Sequence, residues 1–195
     1  MNTIPISEVF LSVQGEGIRT GMTTLFVRVA GCNFSEDGHP CSYCDTNFAW
    51  KYSSGKLATV EEIREQVEMA MMVNKLKEIC LTGGEPLYHP EIKELIYWWS
   101  REYNLTVETN GSLPIWKDRC AWSVDIKCPS SRNAEHNLYS NIELLESRDQ
   151  VKFVVGTRDD FCFARDLVKS RIALTNIIFQ PVYKVLSLAT LTKWI

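Results

Sequence analysis

Apolar and polar positions alternate through residues 23–31, where Leu25, Val27 and Val29 take turns with Thr24, Phe26 and Arg28. That two-residue period predicts a strand with one buried face, stopping at Gly31. From Thr59 the period changes. Val60, Ile63, Val67 and Met71 recur at helical spacing, and Thr59 followed three residues later by Glu62 forms a capping-box signature, so a helix is expected from 60. Further apolar runs at 78–84, 105–111, 121–127, 151–156 and 176–182 predict five more strands, and helices are expected over 90–103, near 139–147, over 159–170 and over 187–195. Strands rich in Val, Ile and Leu, with helices between most of them, indicate a parallel sheet wrapped by helices. Six such units fall short of the eight that close a barrel. The expected fold is α/β, an open, partial (β/α)6 barrel formed by residues 1–195 as one domain.

The residues least suited to a core fall where these strands end. Gly31 and Cys32 follow the first strand, TGGEP (82–86) the second and ETNG (108–111) the third, while SVDIKCPS (123–130) ends the fourth and QPV (180–182) the sixth. Loops at the C-terminal edge of a parallel sheet converge on one mouth, and ligands bind there. The stretch CNFSEDGHPCSYCDT (32–46) therefore opens onto a shared pocket. Cys32, Cys41 and Cys44 can ligate an iron–sulfur cluster with one iron left open, or with His39 they can close a tetrahedral zinc site. A zinc knuckle serving only the fold would not need four other polar turns at the same edge. His39 beside Pro40 reads as an exposed loop residue. In a chain of 195 residues neither metal is needed for folding, since a domain of this size buries roughly 70% of its unfolded surface.

Composition removes several classes. With 24 acidic and 21 basic residues there is no electrostatic footprint for nucleic acid. The start MNTIPISEVF lacks the pattern of a signal peptide and no apolar run is long enough to span a membrane, so a cytoplasmic protein is expected. Seven cysteines, an odd number, argue against a disulfide framework, and the scattered Cys80, Cys120, Cys128 and Cys162 read as ordinary thiols.

Other positions carry chemistry with differing force. Gly83 and Gly84 allow close backbone approach, and Glu85 behind them suits either a ligand ammonium or a helix N-terminus. Ser123, Asp125 and Lys127 share one face of a strand, an arrangement that is costly unless a ligand or partner satisfies it. Arg28 lies on the polar phase of its strand, suited to an anion or to a structural ion pair. Asp45 and Thr46 read by themselves as a helix N-cap. The aromatic group YWW (97–99) reads as packing.

Taken together, SVQGEG (12–17), FVRVAGCN (26–33), CSYCDT (41–46), TGGEP, ETNG, DIKCPS and QPV resemble the radical S-adenosylmethionine superfamily and, within it, the 7-carboxy-7-deazaguanine synthase family, over nearly the whole chain. The chain departs from the superfamily's usual C-x3-C-x2-C pattern in its longer spacer between Cys32 and Cys41. The resemblance implies a [4Fe-4S] cluster on Cys32, Cys41 and Cys44, S-adenosylmethionine as cofactor, and ring contraction of 6-carboxy-5,6,7,8-tetrahydropterin with loss of ammonia, in 7-deazapurine and queuosine biosynthesis. It further implies Mg2+ on Thr46 supported by Asp45, with Thr82, Gly83, Gly84, Glu85, Ser123, Asp125 and Lys127 around S-adenosylmethionine. Gln14, Gly15, Glu16, Arg28 and Gln180 would surround the pterin, Arg28 on its carboxylate and Gln14 and Glu16 on its ring edge. An electron donor such as flavodoxin or ferredoxin, a homodimer, and a C-terminus short of the family's closing segment are also implied. The competing readings are an activase that makes a glycyl radical on a partner and, from another class, a zinc-binding interaction module.

Overall fold

The computed structural model describes residues 3–171 and 175–195. Eight strands form one sheet in the order β3-β1-β2-β4-β5-β6-β7-β8. Six of them, β2 (Thr23–Val29), β4 (Glu78–Gly83), β5 (Asn104–Thr109), β6 (Ala121–Asp125), β7 (Gln150–Val155) and β8 (Asn176–Pro181), run parallel and match the six expected from the alternation. The sheet continues at one edge through β1 (Thr3–Val13), antiparallel to β2, and β3 (Lys56–Thr59), antiparallel to β1. The result is a partial, open barrel.

The helices depart from a full six-fold alternation. α2 (Val60–Asn74) begins at Thr59, whose hydroxyl accepts from the Glu62 amide while the Glu62 carboxylate accepts from the Thr59 amide, the expected capping box. α3 (Ile92–Glu102) and α4 (Arg158–Arg171) follow β4 and β7, and the short α5 (Leu188–Thr192) follows β8. No α-helix joins β5 to β6 or β6 to β7. The helix expected near 139–147 is a 3-10 helix, Tyr139–Leu144, because Asn141 turns its side chain onto the backbone of the 110–115 loop instead of leaving the segment to pack as a regular helix. A four-residue α1 (Asn33–Glu36) sits inside the cysteine loop.

The core lies on one face of the sheet. Val27 and Val29, Ile79 and Leu81, Leu105 and Val107, Trp122 and Val124, and Val151, Phe153 and Val155 share a continuous cluster with Ile63 and Met71 of α2, Ile92, Ile96 and Trp99 of α3, and Phe161 and Ala164 of α4. Trp99 is fully buried while Tyr97 and Trp98 are exposed, as the packing reading of that triplet expects. No described helix is long and apolar enough to cross a membrane.

Candidate active site

Strand register carries the other half of every alternation onto the opposite face. Cross-strand pairing aligns Phe26 with Cys80 and Thr106, Arg28 with Thr82, Glu108 with Ser123 and Gln150, Asp125 with Lys152, and Val154 with Gln180. Paired residues on neighbouring strands point the same way. The concave face is thus mostly polar, and its groups bond one another. Thr82 Oγ1 donates to Glu108 Oε2 at 2.9 Å, Gln150 Nε2 to Ser123 Oγ at 2.7 Å, and Lys127 Nζ to Asp125 Oδ2 at 2.8 Å.

The loop between β1 and β2 lies across this face. Gln14 Nε2 donates to Glu108 Oε1 at 3.3 Å and also contacts Cys80 Sγ; the Ile18 amide donates to Gln150 Oε1 at 2.9 Å; and Arg19 pairs with Glu78. Glu16 receives Lys152 Nζ at 3.0 Å and Gln180 Nε2 at 2.7 Å, so residues distant in sequence meet on one carboxylate. Gly17 has φ 69° and the Gln150 amide occupies the space its Cβ would need, which fixes glycine at the crossing. Burial pushes the Glu16 carboxyl up, but Lys152 and the Gln180 amide outweigh it and hold the group below its ordinary value.

Arg28 is committed through Nε to Glu8 at 2.7 Å, and its guanidinium lies 5.8 Å from the Phe10 ring and 5.7 Å from Phe48. A β-bulge between Ile6 and Glu8 shifts the register there and brings Glu8 opposite Arg28. The structural ion pair anticipated for Arg28 is therefore present, and it uses one edge of the guanidinium.

The three cysteines are held by loops from different strands. The Cys32 amide donates to Trp50 O and the Gly31 amide to Ala49 O, folding the loop back on itself. Asn33 bonds Asn110 and Ser112 from the turn after β5, and Ser42 bonds residues 130 and 131 from the loop after β6. Each sulfur has a separate N–H neighbour: Trp50 Nε1 lies 3.0 Å from Cys44 Sγ, Asn133 Nδ2 lies 3.6 Å from Cys41 Sγ, and Asn110 Nδ2 lies 3.9 Å from Cys32 Sγ. Donors aimed at sulfur fit thiolates that carry charge into a cluster. Burial pushes the Cys32 and Cys41 thiols above the ordinary cysteine value, Cys32 further through the Glu85 carboxylate, so as free thiols both stay protonated. Among the described residues no three His, Cys, Asp or Glu gather closely enough for a single metal ion. His39 is exposed, as expected.

The Gly-Gly turn serves packing first. A Cβ on Gly83 would lie 2.3 Å from Val29 O, and one on Gly84 would lie 2.2 Å from Gly31 O, so both glycines bring β4 against the root of the cysteine loop. Glu85 is fully buried; it accepts from Thr109 Oγ1 at 2.8 Å, the Asn110 amide at 2.6 Å and the Leu87 amide at 3.0 Å, where it caps the 3-10 helix Pro86–Tyr88. Burial pushes its carboxyl up against these donors. Of its two anticipated roles, the structure provides the helix-terminus contact directly. Thr46 stands at the N-cap of the 3-10 helix Asn47–Ala49 without a side-chain cap bond, its hydroxyl instead 3.5 Å from Cys44 Sγ, and Asp45 is exposed beside it.

Several buried polar atoms on this side have no hydrogen-bond partner among the described residues, including Asp125 Oδ1 and Gln180 Oε1 on the concave face and Asn133 Oδ1 and Tyr43 OH beside the cysteines. Buried polar groups left unpaired are costly, and a bound polar ligand would satisfy them. Burial works against the Lys127 ammonium, yet Asp125 holds it above the ordinary lysine value.

Sequence reasoning found Ser123, Asp125 and Lys127 by the two-residue period but did not apply that period to β5 and β7. There it marks Thr106, Glu108 and Asn110, and Gln150 and Lys152. The cysteine neighbours Trp50 and Asn133 carried no such signal. Nor did His89, buried with Nε2 2.8 Å from Ala30 O and held below its ordinary value mainly by burial.

Comparison with known proteins agrees with this geometry. Residues 26–121 match the Radical SAM superfamily model. A 7-carboxy-7-deazaguanine synthase of Methanospirillum hungatei is 36% identical, with 91% of this chain and 72% of that protein covered. One of Clostridium acetobutylicum is 33% identical, covering 97% of this chain and 86% of the relative. The crystal structure of QueE from Escherichia coli superposes with a TM-score of 0.69 at 22% identity, over 94% of this chain and 86% of that one, and shares the fold.

Proposed function

The chain belongs to the 7-carboxy-7-deazaguanine synthase family of radical S-adenosylmethionine enzymes, and on that premise we propose how its own residues divide the work. The reaction is the conversion of 6-carboxy-5,6,7,8-tetrahydropterin to 7-carboxy-7-deazaguanine with loss of ammonia. The observation that supports the assignment of residues is the register of the sheet, which gives six parallel strands one mostly polar face, with the cysteine loop leaving the C-terminal end of the first of them.

Cys32, Cys41 and Cys44 would hold the [4Fe-4S] cluster, with Asn110, Asn133 and Trp50 donating to their sulfurs. Held there by Cys32, Cys41 and Cys44, the cluster would supply the electron for reductive cleavage of S-adenosylmethionine. Asp125 and Lys127, with Ser123 below them, would hold the polar parts of S-adenosylmethionine, and the free Asp125 oxygen supports this. Thr82 and Glu85 would act as positioning residues there: Thr82 orients Glu108, and Glu85 fixes the turn at Thr109 and Asn110. Gly83 and Gly84 bring that turn's neighbour against the cysteine loop.

Arg28, held by Glu8 through Nε, would offer its terminal nitrogens to the pterin carboxylate. Gln14 and Glu16, drawn onto the concave face by the β1–β2 loop around Gly15, would read the ring edge, with Gln180 beside Glu16. Thr46, with Asp45 in support, would ligate Mg2+, a cation that commonly takes only one or two protein ligands. A small electron-transfer protein such as flavodoxin or ferredoxin, a homodimer and a cytoplasmic setting complete the reading.

The test is anaerobic incubation with reductant, S-adenosylmethionine and the carboxylated tetrahydropterin, followed by mass analysis. The expected product is 7-carboxy-7-deazaguanine with release of ammonia. Cleavage of S-adenosylmethionine without any change in the pterin would overturn the assigned substrate.

A further inference from the structure

Lys152 stands in the middle of the concave face and has no part in the division of residues above. Its side chain is 14% accessible, its Nζ lies 3.0 Å from Glu16 Oε2, and it is paired in register with Asp125 on the neighbouring strand. Burial acts against its charge, but Asp125, then Glu108 and Glu16, hold the ammonium above the ordinary lysine value. Three carboxylates thus face one cation, and among the described residues only Glu16 bonds it directly.

Glu16 sits in the loop between β1 and β2, where no strand partner fixes its side chain. Its carboxylate makes two hydrogen bonds among the described residues, one from Lys152 to Oε2 and one from Gln180 to Oε1. A carboxylate oxygen accepts more than one donor. Each oxygen thus keeps a lone pair for the adjacent N–H groups of a heterocycle. The charged groups that bear on Glu16 are Lys152 and, more weakly and in the opposite sense, Asp125.

We propose that Lys152 is a positioning residue for the pterin: acting through Glu16, it keeps that carboxylate charged and in place to receive the paired N–H groups of the pterin ring. The proposal rests on the reading of Glu16 as a pterin contact. It makes a prediction that general structural support does not. With Lys152 present, Glu16 is held below the usual carboxylate value, and pterin binding that needs the ionised form fails only at low pH. Without Lys152 only the Gln180 amide still opposes the upward push of burial and Asp125, so the acid limb of binding moves to higher pH.

The experiment is equilibrium titration of the cluster-loaded full chain with 6-carboxy-5,6,7,8-tetrahydropterin and, separately, with S-adenosylmethionine, over a pH series from neutral to acidic. Lys152→Met should weaken the pterin about tenfold or more at neutral pH and raise the acid limb, with a much smaller change for S-adenosylmethionine. Lys152→Arg, which keeps the charge, should leave the limb near that of the unaltered chain. In a Glu16→Gln background, Lys152→Met should change pterin affinity by less than about twofold, because the two act as one unit. If methionine prevents folding, Lys152→Gln takes its place with the same shift expected. Equal weakening of both ligands with no movement of the limb, or the same loss with and without Glu16, would overturn the proposal. Pterin binding untouched by Glu16→Gln would remove the reading of Glu16, and the proposal with it.

Discussion

The two faces of the same six strands are built to opposite rules. On the convex face Val27, Leu81, Val107, Val124 and Phe153 pack into one apolar cluster with α2, α3 and α4. On the concave face the alternate positions, Arg28, Thr82, Glu108, Ser123, Asp125 and Lys152, are tied into hydrogen bonds and ion pairs that end in unpaired atoms such as Asp125 Oδ1. A sheet buried on both faces for stability alone would read as apolar at every position. Polar residues at every second position over several neighbouring strands are explained by a ligand. The convex face holds the fold, and the concave face spends some of that stability on binding.

Changes at the mouth of the concave face should have the largest effect. Alanine at Cys32, Cys41 or Cys44 should remove the cluster and all turnover, measured as iron content and absorbance after anaerobic reconstitution, while His39→Ala should keep the iron. Loss of iron with His39→Ala would contradict the three-cysteine assignment. On the convex face, Trp99→Ala opens a cavity under α3 and should cost about 3–5 kcal/mol in denaturant unfolding, with no selective loss of either ligand once folded. Selective loss of one ligand would break the separation between the faces.

A smaller effect should come from Asp160 at the start of α4, whose carboxylate accepts from Ser130 and from the amides of Gly156 and Thr157. Burial pushes this group up, but those donors prevail and hold it below the ordinary aspartate value. Its contribution is present above the unfolded-state value and fades as pH falls through the lower folded one. Asp160→Asn should therefore lower stability near neutrality and flatten the acid side of the stability curve, followed by chemical denaturation at several pH values. An unchanged acid side would show that the carboxylate charge contributes nothing there. The smallest change expected is with Thr46→Val, which should weaken magnesium stimulation of turnover without loss of iron; an unaltered magnesium response would take Thr46 out of the metal site.

Much of this arrangement was legible in the sequence because period and position are local properties. The six parallel strands, the capping box at Thr59 and the polar turns at one edge all follow from spacing. The antiparallel β1 and β3 did not, since β1 is half-buried with weak alternation and β3 has only four residues. The placement of Glu16 against Lys152 and Gln180 also lay beyond reach, because partners separated by 136 and 164 residues meet only when a loop crosses the folded sheet. Glu85 shows the reverse case: its position in TGGEP suggested a ligand contact, while tertiary folding gives both of its oxygens protein donors.

The most direct test of the central claim compares two concave-face variants ligand by ligand. S-adenosylmethionine and the carboxylated tetrahydropterin are each titrated into the cluster-loaded chain carrying Arg28→Ala or Asp125→Asn. Arg28→Ala should weaken the pterin by about 2–5 kcal/mol, as expected when one partner of a buried charge pair is lost, and leave S-adenosylmethionine nearly unchanged. Asp125→Asn should do the opposite. Equal weakening of both ligands by both variants would contradict the division of this face into a cofactor half and a substrate half.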